Sequence, residues 1–414
     1  MTKQFNISKQ LFVQAYELVK ANSGAAGVDG QTLDDFSANL KDNLYKLWNR
    51  MSSGTYFPPA VKAVSIPKKT GGERILGVPT VADRIAQMVV KLVFEPIVEP
   101  QFLEDSYGYR PNKSALDAVG VTRQRCWQYN WVLEFDIKRL FDNIPHDLLM
   151  KAVRKHTDCN WVILYIERWL IAPMQTTTGD LINRTSGTPQ GSVISPILSN
   201  LFLHYVFDKW MQRNQSSVPW CRYADDGLLH CHSAEKAEKL RAELDVRFKS
   251  CGLELHPNKT QIVYCGKGKR KDDNYKDSFD FLGYAFRKRL AKNSKTGRTF
   301  LTFTPAISKS AKKAIRDQIR QRKIHRRTNC NIEYIASELN PAIMGWLNYY
   351  GRYGRGEMYP IGKYINGVLA KWASRKYKKL GRNKYRAIGY IERTANKRPN
   401  LFAHWKVGMR STFA

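Results

Sequence analysis

The 414-residue sequence is short of paired thiols: its seven cysteines are an odd number and contain no C-x-x-C spacing. That argues against both a disulfide framework and a zinc finger. Cys221, His230, Cys231 and His232 lie close together, but successive residues of a hairpin face opposite sides, so they are not read as a metal site. No apolar run reaches membrane-spanning length, and the N-terminal stretch lacks the apolar core of a signal peptide. The expected compartment is therefore a reducing cytoplasm, bacterial or organelle-like, with no membrane partner. A dinucleotide fingerprint is also missing: Gly24–Gly30 is glycine-rich, but no strand precedes it and its spacing is not G-x-G-x-x-G. Acidic residues are scarce, 36 against 68 basic, leaving a formal charge of +32 and a pI near 9.9. The shortage is concentrated in residues 287–414, which hold 31 Lys/Arg and 5 Asp/Glu. Such an excess would self-repel without a polyanionic partner, so nucleic acid is expected and a functional boundary falls near residue 287.

The chain is long enough for two or three domains, and 43% hydrophobic content implies a globular protein. Apolar spacing predicts helices from Ser8 to about Asn22 and from Leu33 to Met51. Alternation from Val61 to Pro79 around Lys-Lys-Thr-Gly-Gly predicts a hairpin carrying Lys68, Lys69 and Arg74, three cations suited to a triphosphate. Helices follow over 81–96 and from Ser114, then a strand, Trp131–Lys138, with Asp136 near its end. An unpaired acid there would be costly to bury, so it needs a metal, a cation or water. Further helices are expected over 145–155, 161–171 and 234–251, with hairpins around Thr178-Gly-Asp180 and over 279–286. Pro189 and Gly191 hold Gln190 in a rigid turn at a helix entrance. Beyond Arg287 the pattern reads as basic and helical: Ile307, Ala311, Ile315 and Ile319 form an apolar stripe. Lys309, Lys312, Lys313, Arg316, Arg320 and Arg322 cover the other faces and are candidates for RNA phosphates.

Between two aromatic and apolar runs lies Tyr223-Ala224-Asp225-Asp226, a hairpin turn with paired acids. Alone it is ordinary turn chemistry. Together with Asp136, the cationic hairpin, the Pro-Gln-Gly turn and the downstream Lys259, it supplies the parts of two-metal phosphoryl transfer. Two Mg²⁺ ions roughly 3.5–4 Å apart need carboxylates converging from different strands.

Seven segments in order carry a resemblance over essentially the whole chain. They are Ile66-Pro-Lys…Gly-Gly-Glu-Arg74 with Leu76–Arg84, Ser106-Tyr-Gly-Tyr-Arg-Pro111, Phe135-Asp-Ile-Lys-Arg-Leu-Phe-Asp-Asn-Ile-Pro-His146, Gly187-Thr-Pro-Gln-Gly-Ser-Val-Ile-Ser-Pro196, Tyr223–Asp226, Leu255-His-Pro-Asn-Lys-Thr260 and Phe281-Leu-Gly-Tyr284. The sequence resembles the group II intron-encoded reverse transcriptase/maturases.

The resemblance implies an α+β right-hand polymerase with fingers and a ferredoxin-like palm sheet, followed by an α-helical thumb or maturase domain. The expected organisation is a helical RNA-binding extension (1–57), fingers and palm (58–286), a basic thumb (287–380) and a short basic DNA-binding segment (381–414). By position, Asp136, Asp225 and Asp226 are expected to bind two Mg²⁺, with Mn²⁺ a possible substitute. Lys68, Arg74 and neighbouring Lys69 would hold the dNTP, Phe141 would reject a ribose 2′-OH, and Gln190 would line the nucleotide and template pocket. Lys259 would serve departing pyrophosphate as general acid or point charge. Phe281, Leu282, Gly283 and Tyr284 would form the primer grip.

Two departures stand out. Arg139 occupies a position where many relatives have a smaller residue, and no glycine precedes Phe141. The 414 residues contain no Cys/His endonuclease module, so the chain is expected to be similar to the compact, endonuclease-lacking members, whose mobility uses pre-opened or single-stranded DNA. Two functions are expected together: RNA-templated DNA synthesis primed at a target DNA, and a maturase role in which the basic regions clamp intron RNA. A free-standing relative acting in repair or defence is the alternative.

Overall fold

The structure, a computed structural model, describes residues 3–67, 72–266, 268, 274–292, 296–381 and 383–411. It contains two compact units. The first comprises Met1–Ala118 and Leu133–Gln261, and the second Val119–Val132 and Ile262–Ala414.

The first unit begins with the helix Lys9–Asn22, whose N-cap Ser8 accepts a hydrogen bond from Gln10 N. The segment expected as one helix from Leu33 is two, Leu33–Ala38 and Leu40–Ser52. Asn39 breaks the run with φ −122° and ψ 43°, outside the helical region. Thr32 and Asp35 form a capping box at the start of the first. The strands Val61–Pro67 and Glu73–Val78 pair antiparallel as anticipated, and Met174–Gln175 adds parallel to the first of them. Met174–Gln175 in turn pairs with Leu181–Ile182 across the turn at Gly179, completing a four-stranded sheet.

A second four-stranded sheet has the spatial order Trp220–Tyr223, Asp226–Cys231, Trp131–Asp136, Gln261–Tyr264. Numbered along the chain this is 2-3-1-4, the ferredoxin-like arrangement, with the helix Ala234–Ser250 between its third and fourth strands. Phe135, Phe207 and Phe248 are fully buried and lie within 5.1–6.2 Å of one another by ring centroid. Gly227 is required opposite this cluster, because a Cβ there would run into the Phe135 ring. The helix Ser195–Leu203 passes through a π segment, His204–Asp208, before Lys209–Asn214.

The second unit corrects the expectation that everything beyond Arg287 is helical. Tyr284–Lys292 and Thr299–Ile307 form an antiparallel ladder of nine residue pairs, with Ser278–Phe281 on its other edge. Leu301, Phe303 and Pro305 alternate with threonines there, a two-residue period that the basic composition had masked. Helices Lys309–Gln321, Ile332–Tyr350, Tyr359–Lys376 and Lys384–Lys397 then pack around Ile315, Ile319, Leu339, Ile365, Leu369, Trp372 and Ile391. The expected stripe is the buried one: Ile307, Ala311, Ile315 and Ile319 all lie in this core. Asn366, fully buried, ties in the last described residues, donating to the Met409 and Ser411 carbonyls and accepting from Trp405 Nε1 at 2.7 Å. Among the described residues no helix is long and apolar enough to cross a membrane.

Candidate active site

Tyr223 pairs with Asp226 across a two-residue turn, Ala224-Asp225. Ala224 has φ 55°, so a left-handed conformation usually left to glycine is imposed on a residue with a Cβ, at a cost of about 1–2 kcal/mol. Surrounding contacts hold it. Gly108 lies so close that a Cβ would collide with Ala224 N, Tyr107 N donates to Arg222 O at 2.8 Å, and Arg222 N donates to Asp105 O at 3.0 Å.

Under the turn, Arg222 is fully buried and uses all five of its N–H groups. Nε and Nη2 grip Asp208 Oδ1 and Oδ2 at 2.9 and 2.8 Å, and Nη2 also donates to Ser106 Oγ. Nη1 donates to Asn200 Oδ1 and to Ala224 O, both at 3.2 Å. Burial alone would raise the Asp208 carboxyl, but the guanidinium and His204 together outweigh it and the net shift is downward. Sequence reading gave Arg222 and Asp208 no role. The one available signal was a charged residue inside an apolar strand, the same signal that singled out Asp136.

Asp136 ends the neighbouring strand, 7% exposed, and accepts from Lys259 Nζ at 2.7 Å. The loop bearing Lys259 is pinned to that strand end, His256 N donating to Asp136 O and Lys138 N to Glu254 O, and the hairpin turn is tied to it by Ile137 N donating to Asp225 O. Asp225 and Asp226 are drawn into the same neighbourhood. Burial and then the Asp136 charge raise Asp225, with Lys259 and Arg74 pulling the other way. Burial, followed by the charges of Asp225 and Asp136, pushes Asp226 up to about 8. Lys259 is itself raised: burial would lower it, and the Asp136 contact overrides that.

Three pressed carboxylates are hard oxygen donors whose mutual repulsion a divalent cation would relieve, so their chemistry fits such an ion. Their side chains do not converge on one point: among the described residues no group of three or more His, Cys, Asp or Glu is arranged to hold a metal.

The nucleotide-side residues sit around this cluster. Lys68 and Lys69 lie outside the described residues. Arg74 Nε donates to Gln190 Oε1, and Gln190 Nε2 donates to Asp142 Oδ1 at 3.3 Å. Phe141 is buried and meets the Tyr109 ring edge-on at 6.4 Å, and Tyr109 lies 6.5 Å from the Tyr223 ring. Tyr109, half-exposed at φ 59°, belongs to a loop that sequence reading noted without assigning it a role. Burial and then the Asp225 charge raise its phenol. Arg139 answers the departure noted above: it is exposed and adopts φ 50°, the left-handed conformation a smaller residue would take more readily.

In the second unit, Phe281 and Tyr284 are buried and pair across a tight turn of Leu282 (φ 51°) and Gly283 (φ 79°). Tyr349 and Tyr284 lock the turn: Tyr349 Oη donates to Leu282 O at 2.8 Å, and Tyr284 Oη to Tyr349 O. The six basic residues of helix 309–321 and its end do not share one free surface. Lys312 pairs with Glu357 at 2.6 Å, Arg316 stacks over Tyr364, and Arg322 donates to Glu338 O. Lys309, Lys313 and Arg320 remain exposed, Arg320 with Asp317 at 3.2 Å. A groove of about 1400 Å³ is lined by Arg320, His325, Lys371, Arg375, Lys378 and Lys384, with Tyr364 and Val368 and, among the described residues, no acid.

A ferredoxin-like sheet presenting one strand-end acid beside a hairpin-turn pair defines a polymerase palm. Residues 66–286 match the family described as reverse transcriptase (RNA-dependent DNA polymerase), and the chain belongs to that family. Its members generally use divalent metal ions. Residues 312–388 match the group II intron maturase-specific domain, so the chain is more narrowly a group II intron reverse transcriptase/maturase. Protein YkfC of Escherichia coli (strain K12) is 33% identical, the match covering 67% of this chain and 80% of that one. Group II intron-encoded protein LtrA of Lactococcus lactis subsp. cremoris is 31% identical over 49% of this chain and 33% of its own length. A 91 kDa protein in the cob intron of Schizosaccharomyces pombe is 26% identical over 98% of this chain and 59% of its own.

Proposed function

We propose that Asp136, Asp225 and Asp226 form the catalytic centre of this RNA-directed DNA polymerase, copying intron RNA from a primer at a target DNA. The observation that carries this is the pairing of Asp136 with Lys259 at 2.7 Å beside Asp225 and Asp226, close enough that the Asp136 charge helps raise both. When bound, two Mg²⁺ ions would activate the primer 3′-OH and stabilise charge on the α-phosphate. The raised Lys259 stays protonated at neutral pH and can give its proton, or its charge, to departing pyrophosphate. Arg74 offers a guanidinium to the triphosphate, with Lys68 and Lys69 as its partners on the same hairpin. Phe141, held edge-on by Tyr109, is the steric gate against a 2′-OH, and Gln190 lines the nucleotide and template pocket. The turn Phe281–Tyr284 is the primer grip.

We assign intron RNA binding to the extension 1–57 and the thumb 287–380, and DNA contacts to 381–414, with fingers and palm over 58–286. The acid-free groove adds Lys371, Arg375, Lys378 and Lys384 to the exposed Lys309, Lys313 and Arg320 as phosphate contacts. Lys312, Arg316 and Arg322 support that surface from behind. Seven free thiols favour a reducing, cytoplasmic compartment.

The test is the double variant Asp225→Asn, Asp226→Asn, assayed for cDNA synthesis, for intron RNA binding and for the Mg²⁺-induced rise in melting temperature. Synthesis and the Mg²⁺ stabilisation are lost and RNA binding survives. A variant that still synthesises cDNA, or is still stabilised by Mg²⁺, refutes the assignment.

A further inference from the structure

A fully buried carboxylate lies away from the three acids described above. Asp83, 1% exposed, sits in the first turn of the helix Val81–Val98, where its N–H donates to the N-cap Thr80 Oγ1. No cation is among the groups that set its state. Burial pushes it up to about 6, and three neutral donors, Tyr56, Trp169 and Gln87, pull the other way. Its Oδ1 accepts from Tyr56 Oη at 2.8 Å and from Trp169 Nε1 at 2.6 Å, and its Oδ2 accepts from Gln87 Nε2 at 2.9 Å.

That last bond determines which way a buried amide points. Only the NH₂ end of Gln87 can face a carboxylate, so its oxygen faces the opposite way. There Oε1 accepts from Ser192 Oγ at 2.5 Å and from Val193 N at 2.8 Å. Ser192 and Val193 directly follow the Gln190-Gly191 pair. On the other side of that turn, Gly77 N donates to Gln190 O at 2.7 Å, and Gly191, at φ 116°, packs so that a Cβ would lie 2.7 Å from Gly77 O. The turn is thus held between the strand Glu73–Val78 and Gln87, and the Gln190 side chain leaves it toward Arg74 and Asp142.

We propose that Gln87, oriented by Asp83, is a positioning residue for the nucleotide pocket: it sets the seating of the Pro189–Gly191 turn and so the reach of Gln190. This rests on the reading that Gln190 lines that pocket. Gln87 touches neither substrate nor the three acids. Its effect is on where Gln190 stands before a dNTP arrives, so it governs nucleotide affinity rather than the chemical step.

The relay can be inverted without losing a hydrogen bond. With Asp83→Asn and Gln87→Glu together, the position-83 oxygen still accepts from Tyr56 and Trp169. Its NH₂ donates to the new carboxylate, whose second oxygen accepts from Ser192 and Val193. Total charge is unchanged.

The experiment measures KM for dNTP, kcat on an RNA template with a DNA primer, and melting temperature in the full chain. The variants are Gln87→Met, Gln190→Ala and the exchanged pair. Gln87→Met removes hydrogen bonds worth about 1 kcal/mol each in net terms, so KM rises roughly five- to tenfold while kcat stays within about twofold. Gln190→Ala raises KM similarly, and adding Gln87→Met to it raises KM little further, because both act through one contact. The exchanged pair returns KM to within about twofold of wild type. If Gln190→Ala raises KM and Gln87→Met does not, the relay is refuted while the pocket reading stands. If Gln190→Ala leaves KM unchanged, the pocket reading itself fails and the relay with it. Should Gln87→Met not fold, the exchanged pair decides: wild-type melting with an uncorrected KM overturns the proposal.

Discussion

Replacing Arg222 with methionine tests whether the turn bearing Asp225 and Asp226 is held from beneath. The substitution keeps an unbranched apolar stem, ends it two atoms short of the terminal guanidinium nitrogens, and removes five hydrogen bonds, two of them to Asp208. Because both members of that pair are fully buried, the larger loss is the stranded carboxylate. Breaking such a pair from one side costs about 3–5 kcal/mol, a large part of the roughly 5–15 kcal/mol that holds a domain folded. The pH dependence separates this from simple loss of packing. In the wild type the Asp208 carboxyl is held below its ordinary value, so its stabilisation is complete above that ordinary value and is lost as pH falls through the lowered one. In Arg222→Met, burial is left opposed only by nearby His204, whose Nδ1 is 3.8 Å away. The carboxyl then moves up, and the variant loses stability as pH rises. Urea unfolding across pH 4–8 therefore shows a deficit of about 3–5 kcal/mol near neutrality that narrows in acid. Adding Asp208→Leu recovers roughly half of it. Activity does not return, since Ala224 O has still lost its donor. A neutral-pH deficit below about 1 kcal/mol, or one that does not change with pH, refutes the reasoning.

Other expectations concern selection and grip. Phe141→Ala removes the ring that Tyr109 holds edge-on, and discrimination between dNTP and NTP falls by about tenfold or more, read as the ratio of kcat/KM values. Unchanged discrimination would show that Phe141 is core packing alone. Neutralising Lys371, Arg375 and Lys378 together as glutamines lowers the slope of log affinity against log salt by about 2 for single-stranded RNA, while KM for dNTP stays put. An unaltered slope removes the groove from the RNA-binding surface.

Much of the palm was legible because its signals are local. Alternation marked the strand ending at Asp136 and the hairpin around Asp225-Asp226, and glycine and proline marked the turn at Gln190. The hairpin Tyr284–Ile307 was not legible, since the basic run Arg287-Lys288-Arg289 imitates a basic helix and masks the two-residue period of the strand it pairs with. The break at Asn39 was missed for a related reason: one non-helical residue leaves the apolar spacing on either side almost unchanged.

By itself the sequence determined the family, the order of the motifs and the excess of basic charge, because these depend on residue type and spacing along one chain. Only the tertiary structure decided which groups answer each other across the fold. Lys259 meets Asp136 from 123 residues away, Gln87 meets Ser192 from 105, and Arg74 meets Gln190 from 116. It also decided which basic residues are exposed, engaging Lys312 and Arg322 with Glu357 and the Glu338 carbonyl and gathering Lys371, Arg375 and Lys378 around a groove. The physical reason is that desolvation and hydrogen-bond pairing belong to positions in space, and neither can be read from a residue's neighbours in sequence.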